Sequence, residues 1–239
     1  MPRFFVDDIS EKYAQITGED ARHISRSLRM KVEDTLIVSC KGIDYSCVIK
    51  SITDDLVELE ILFYNKCKSE PSIDLTLFQA VPKLDKLEMI IQKSVELGVN
   101  RIVPVMTKRC VSRPSEKDFA KKLQRYNKIA LEAAKQSGRG IIPDVLPIIN
   151  YTAALNKMAC SDCSLMLYEQ GGVRFSEVDF SSAKSISLLI GSEGGFDEAE
   201  VLQAENAGVT RIWLGDRILR CETAPLAAVS ITMFLTHNL

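Results

Sequence analysis

Leu188-Leu189-Ile190-Gly191-Ser192-Glu193-Gly194-Gly195-Phe196-Asp197 is an apolar run that enters a glycine-rich turn and then reaches an acidic helix start. Further along, Leu214-Gly215-Asp216-Arg217-Ile218-Leu219-Arg220-Cys221-Glu222-Thr223-Ala224 follows the same plan. Strand, glycine turn and helix in that order form the connection that sets a ligand at the carboxyl end of a parallel sheet. Two such crossings close in sequence predict one shared pocket.

The first crossing has neither a GxxxxGK[ST] nor a GxGxxG pattern, and Glu193 among its glycines would repel a phosphate. Asp197 and Glu200 read as an N-cap and its capping-box partner, so the first amides of the following helix already face an anion. A neutral or cationic ligand therefore suits the turn better. Gly191, Gly194 and Gly195 let main chain approach a flat ligand closely. Read without that ligand, they serve only the geometry of a tight turn. In the second crossing, Arg217 and Arg220 flank Ile218-Leu219 after a strand over Val209 to Leu214. Thr223 is placed to cap a helix, and Pro225 falls in its first turn. Leu226 to Leu235 is apolar on nearly every face, which calls for burial in the chain or in a subunit interface.

Gly191-Ser-Glu-Gly-Gly195 and Leu214-Gly-x-Arg-Ile-Leu-Arg-x-Glu-Thr-Ala224 resemble the two cofactor motifs of the SPOUT-type RNA methyltransferases that modify N3 of a uridine in 16S ribosomal RNA, the RsmE family. Gln92-Lys93-x-x-Glu96-Leu97-Gly98-Val99, Glu132-Ala133-Ala134-x-Gln136-Ser137-Gly138-Arg139, Pro2-Arg3-Phe4-Phe5 and His23-Ile24-x-x-x-Leu28-Arg29 are similar to further family signatures. The resemblance spans nearly the whole chain. It departs at Ser192, where the family usually has proline, a change expected to loosen the loop slightly while keeping its glycines.

The resemblance implies an S-adenosyl-L-methionine-dependent enzyme with 16S ribosomal RNA or the small ribosomal subunit as partner, working as a homodimer. It implies a parallel α/β SPOUT domain over residues 72–239 with a trefoil knot at its carboxyl-terminal end. A small PUA-like β-barrel that helps to hold RNA is expected over residues 1–66. Cofactor binding falls to Leu167, Gly191, Ser192, Glu193, Gly194, Gly195, Leu214, Gly215, Ile218, Leu219, Thr223 and Ala224, with Glu193 holding a ribose or facing the sulfonium. Arg220 and Arg139 are candidates for orienting the uracil or stabilising its anion, and Glu96 for removing a proton. Arg3, Arg26, Arg29 and Arg109 are candidates for contacting RNA. Bland readings stand beside these: Glu96 pairing with Lys93, Arg139 binding only phosphate, and the loop arginines pairing with Asp216 or Glu222.

The bounds set by composition agree. The chain has 239 residues, is 46% hydrophobic and carries a net charge of −2, which is not the balance of a generic nucleic-acid binder. Bases are concentrated between Lys93 and Arg139, however, so a local phosphate-binding surface is compatible with that total. Lys121 and Lys122 read instead as the solvated face of an amphipathic helix. Seven scattered cysteines argue against a disulfide framework, and Cys160-x-x-Cys163 has no second ligand pair, so no metal is expected. No apolar run is long enough for a bilayer and no signal peptide is evident at the amino terminus, which places the chain in the cytoplasm.

Along the chain, a strand near Phe4 to Val6, a helical stretch over Glu19 to Leu28 and alternating runs from Thr35, Tyr45 and Leu56 predict the small barrel. A polar linker over Lys66 to Pro71 follows. A strand over Ile73 to Val81 leads to a helix with Leu84, Leu87, Ile90, Ile91 and Val95 on one face and Gly98 at its end. A strand over Ile102 to Met106, a long helix through Phe119 and Ala134, and strands near Ser164 to Tyr168, Ile186 to Ile190 and Val209 to Leu214 complete the α/β rhythm. No glycine lies in the first strand-to-helix turn, which disfavours a dinucleotide enzyme. Two other functions remain open at this point: a non-catalytic RNA-binding ribosome-assembly factor of the same fold, and a nucleotide-dependent enzyme. Glu193 and the absent Lys-Ser/Thr pair weigh against the second.

Overall fold

The computed structural model describes all 239 residues. They form two compact units, residues 1–70 with 134–142, and residues 71–133 with 143–239.

In the first unit, strands β1 (Arg3–Phe5), β2 (Tyr13–Thr17), β3 (Thr35–Cys40), β4 (Ile43–Ile52) and β5 (Leu56–Lys66) form a curled sheet of order β1-β3-β4-β5-β2. The first pairing is parallel and the others antiparallel. Helix α1 (Gly18–Arg22) runs into a wider turn over His23–Ser27. Tyr13 to Thr17 alternates exposed and buried, so Ala14 and Ile16 join Phe4, Ile24, Leu36, Val38, Ile49 and Leu59 in one core. The alternation in β2 is only two apolar residues deep, too brief to stand out in the sequence.

Lys66 to Pro71 does not act as a loose linker. Lys66 ends β5, Cys67 is buried, and the Cys67 amide donates to the Gly42 carbonyl at 2.8 Å. The segment 134–142 belongs to this unit through Glu70. That carboxylate accepts from the Arg139 guanidinium at 2.8 and 2.9 Å and from the amides of Gly140 and Ile141 at 2.8 and 3.0 Å.

The second unit is a parallel α/β layer. Its strands are β6 (Asp74–Ala80), β7 (Arg101–Met106), β8 (Asp144–Val145), β9 (Ile149–Asn150), β10 (Cys163–Leu167), β11 (Val173–Arg174), β12 (Ser185–Ile190) and β13 (Thr210–Trp213). The order is β11-β13-β10-β12-β6-β7-β8, with β9 also on β7, and every pairing is parallel. β6 and β12 are buried over almost their whole length, as apolar strands covered on both faces must be.

The helices are α2 (Lys86–Glu96), α3 (Glu116–Ser137), α4 (Tyr151–Met158), α5 (Glu198–Asn206) and α6 (Thr223–Leu235). On α2 the buried residues are Leu87, Ile90, Ile91, Ser94 and Val95, the stripe of an amphipathic helix, and Gly98 at φ +99° ends it. Lys121 and Lys122 are exposed on α3, and Lys121 pairs with Asp118 at 3.3 Å. On α6 Pro225, Ala228, Val229, Thr232 and Met233 are buried, while Phe234 on another face is 67% exposed. No helix is long and apolar enough to cross a membrane.

Leu84 corrects the expected face of α2. It precedes the helix, is 86% exposed and sits at φ +56°, the left-handed region that costs an L-residue about 1–2 kcal/mol. Leu84→Gly removes that strain and no burial. The glycine's greater freedom in the unfolded chain offsets part of the gain, leaving an expected stabilisation of up to about 1 kcal/mol. Urea unfolding followed by fluorescence checks this; a lowered midpoint would count against strain at Leu84.

Candidate functional site

In a parallel sheet every carboxyl end falls at one edge, and the turns after β6, β7, β10, β12 and β13 meet there. Three of them, after β10, β12 and β13, wall a cleft of about 530 Å³ together with Lys86 of α2 and Ala224 of α6. That volume lies within the range of roughly 300–1,000 Å³ usual for small-molecule sites. Both crossings read in the sequence therefore open into one pocket.

Its walls are Leu167, Tyr168 and Glu169, then Ile190 through Phe196, then Ile212 through Gly215 and Arg217 through Cys221. Every residue expected to bind a cofactor lines the cleft except Thr223, which is exposed and begins α6. Thr223 does not cap the helix either: Glu222 occupies the N-cap position without a side-chain bond, and the amides of Thr223 and Ala224 are satisfied by the Arg220 carbonyl at 2.8 and 2.9 Å.

The glycine turn is tight for identifiable reasons. A Cβ on Gly191 would lie 3.2 Å from the Gly195 Cα, and one on Gly194 would lie 3.0 Å from the Arg109 Cβ. Gly195 has φ +62°, and its Cβ would point at the Glu169 carboxylate at 3.1 Å. The Gly195 amide closes the turn on the Ser192 carbonyl at 3.0 Å. Ser192 is buried and its hydroxyl donates to the Arg109 carbonyl at 3.4 Å, which ties the turn to the loop after β7. The Arg109 guanidinium donates to the Gly194 carbonyl at 3.1 Å. Beneath the turn, the buried Gln79 amide donates to the Gly191 carbonyl at 3.2 Å.

The capping box is present as the sequence predicts. Asp197 accepts from the Ala199 amide at 3.2 Å, and Glu200 accepts from the Asp197 amide at 3.0 Å. Lys108 pairs with Asp197 at 3.0 Å, and its hydrogen bond is the chief cause holding that carboxyl below its ordinary range.

Glu193 does not reach into open space. Its carboxylate accepts from the Lys83 amide at 3.1 and 3.3 Å and from the Lys86 ammonium at 3.1 Å. Lys86 also meets Glu222 at 3.0 Å. Burial opposes ionisation of Glu193, but the hydrogen bonds it accepts outweigh that effect and hold its carboxyl low. Burial, the bond to Glu222 and the charge of Glu193 push the neighbouring Cys221 thiol up to about 12, so it stays protonated. Lys86 was not singled out in the sequence, where it reads as one more solvated lysine at a helix start. Glu169, the exposed carboxylate beside Gly195, carries no local signal either, standing in a polar turn after β10.

The other candidates separate. Arg220 is exposed at the cleft with no hydrogen bond or ion pair from its guanidinium, and Arg217 beside it is likewise exposed. Glu96 is not brought there: it lies at the far end of α2, about 15 Å of helix from Lys86, and accepts from Lys93 at 2.9 Å. Arg139 lies in the first unit, 2% exposed and bound to Glu70, so it supports that unit rather than the cleft. Arg3 is held by Asp44 and Ser39 and has little free surface. Arg26 is exposed and pairs with Asp54, whereas Arg29 is exposed at φ +52° with no ion pair. No group of three or more His, Cys, Asp or Glu residues is arranged to hold a metal ion.

Comparison with known proteins fits this geometry. A family described as RNA methyltransferase domain matches residues 68–233, and one described as RNA methyltransferase PUA domain matches residues 16–62. The chain is 36% identical to Ribosomal RNA small subunit methyltransferase E of Bacillus subtilis, covering 100% of this chain and 98% of that protein. It is 34% identical to the protein of that name in Mesomycoplasma hyopneumoniae, with coverage of 95% and 96%. A crystal structure of Ribosomal RNA small subunit methyltransferase E from Neisseria gonorrhoeae bound to S-adenosyl methionine superposes with a TM-score of 0.89 at 34% identity, covering 98% of each chain.

Proposed function

The chain belongs to the RNA methyltransferase family that contains the Ribosomal RNA small subunit methyltransferase E proteins, and on that premise we propose that it transfers a methyl group from S-adenosylmethionine to N3 of a uridine in 16S ribosomal RNA. The observation that carries the reading is the single cleft shared by the glycine turn after β12 and the loop after β13. Its residues fit the cofactor. Apolar Leu167, Ile190, Ile212, Leu214 and Leu219 can flank an adenine, and the bare main chain of Gly191, Gly194 and Gly195 leaves room where side chains would intrude.

The bound cofactor supplies an electrophilic methyl on a sulfonium. The chain contributes placement, since in-line transfer depends on how the acceptor nitrogen is held. Uridine N3 carries a proton near neutral pH, so a cation beside the base lowers the cost of its loss. Arg220 is the residue proposed for that task, with its guanidinium at the cleft and uncommitted. Calorimetry with S-adenosylhomocysteine against ATP tests the cofactor assignment. Tight binding of ATP alone would turn the reading toward a nucleotide-dependent enzyme, and binding of neither toward an assembly factor.

RNA is assigned to the first unit, supported by the match of residues 16–62 to an RNA methyltransferase PUA domain and by the exposed Arg29. Arg29→Glu is expected to weaken binding of a small-subunit RNA fragment by about tenfold, roughly 1.4 kcal/mol, while affinity for S-adenosylhomocysteine is unchanged. Filter binding at fixed salt checks it; equal RNA affinity would remove Arg29 from the contact surface. A homodimer formed through α6 belongs to the same proposal, supported by the exposed Phe234 on that apolar helix, and light scattering decides it. So does a trefoil knot in the stretch that carries both crossings. A ribosomal substrate supports a cytoplasmic location as part of the same proposal.

A further inference from the structure

Lys86 stands in the first turn of α2, outside both glycine crossings, yet it touches each of them. Its ammonium lies 3.1 Å from Glu193 of the first crossing, 3.0 Å from Glu222 of the second and 3.7 Å from the Cys221 sulfur. Neither carboxylate is without help. Glu193 also takes the Lys83 amide, and Glu222 also takes the Cys221 thiol at 3.2 Å. Yet Lys86 is the cation common to both, and the side chains of Glu193 and Glu222 are only 24% and 15% exposed.

We propose that Lys86 is a positioning residue that fixes the spacing of the two cofactor loops by binding one carboxylate from each. The inference rests on the cofactor reading of the cleft and deepens it. The loops after β12 and β13 leave strands separated by β10, and no backbone hydrogen bond joins residues 191–197 to residues 214–222. A two-armed cation supplies that connection. Without it, two carboxylates are left facing the same point with no cation between them, and their repulsion drives the loops apart. Glu193 is accordingly a strut that holds the turn, with its carboxylate taken by Lys86 and by the Lys83 amide just ahead of α2. A third constraint acts on Glu222, because the thiol of Cys221 donates to it and orients that carboxylate toward the ammonium.

The test uses the full chain, S-adenosylhomocysteine as probe, and the variants Lys86→Met, Lys86→Arg, Glu222→Gln and Lys86→Met/Glu222→Gln. Lys86→Met keeps the stem of a partly exposed side chain and is expected to weaken the probe by about tenfold or more, with Lys86→Arg restoring it to within about threefold. The KM for S-adenosylmethionine should rise in proportion. The single-turnover rate at saturating cofactor should move less than about threefold, because the lost interaction concerns holding the cofactor rather than the transition state. Glu222→Gln alone should weaken binding, and the double variant should bind better than Lys86→Met, since it removes the repulsion between the two carboxylates along with the link. Unchanged affinity in Lys86→Met, equal damage from Met and Arg, or additive losses in the double variant would each overturn the proposal. Failure of the unaltered chain to bind the probe would instead overturn the cofactor reading.

Discussion

Gly195→Val is expected to lower affinity for S-adenosylhomocysteine by about a hundredfold or more, close to 3 kcal/mol, while the chain remains folded. Two effects act together. A β-branched residue at φ +62° is a backbone outlier costing about 1–3 kcal/mol, which the turn relieves by opening. The new Cβ also points at the Glu169 carboxylate 3.1 Å away and fills the space the ligand needs. The core beneath, with Phe196, Leu189 and Val201, is untouched, so circular dichroism should report a native spectrum. Titration calorimetry reads the affinity; a loss smaller than about tenfold, 1.4 kcal/mol, would mean that the pocket lies elsewhere.

Arg220→Ala is expected to slow single-turnover methylation by about a hundredfold or more and to leave cofactor affinity within about threefold, by analogy with removal of one preorganised electrostatic group. The Arg220 carbonyl anchors the start of α6 through the amides of Thr223 and Ala224, a role that alanine retains. Only the uncommitted guanidinium is lost. The sign of the pH effect follows from the acceptor. Arginine keeps its charge throughout the accessible range, so the native enzyme loses no cation as pH rises. The variant must wait for uracil to lose its proton unaided, and that fraction grows with pH, so the gap between the two should narrow. Quench-flow rates across pH, with mass spectrometry of the product, decide the matter. A pH-independent defect would remove Arg220 from this role, and methyl on a 2′-oxygen would remove N3 as the acceptor.

The sheet of the second unit was legible because several of its strands are mostly apolar runs, such as Ile186 to Ile190, which ends at Gly191. The two crossings could be read for the same reason, and their convergence follows from the parallel geometry. What the sequence did not reveal was pairing at a distance. β8 and β9 are two residues each and exist only because β7 offers them an edge. Lys86 gains its significance from Glu193 and Glu222, far away in the chain. Arg139 and Arg3 carry the charge expected of nucleic-acid or catalytic contacts, but Glu70 and Asp44 had already taken them inside the first unit. Leu84 satisfied a helical spacing that the chain takes up only two residues later, at Lys86. In each case local pattern gave the residue type correctly, and tertiary partners decided its use.

The segment 134–142 gives the first unit a delayed completion during synthesis. Glu70 leaves the ribosome well before Arg139, by several seconds at about 5–20 residues per second, and until then its carboxylate lacks the guanidinium and the Gly140 and Ile141 amides that it later accepts from. The nascent first unit thus holds an acid destined for burial but still hydrated, which disfavours early closure around it. Folding order is consequently inverted for this stretch: the amino-terminal barrel can collapse first but finishes only once the middle of the chain has been made. A translational pause between Pro71 and Ala133 would prolong the interval in which all five strands of the sheet exist but Glu70 still lacks its partners.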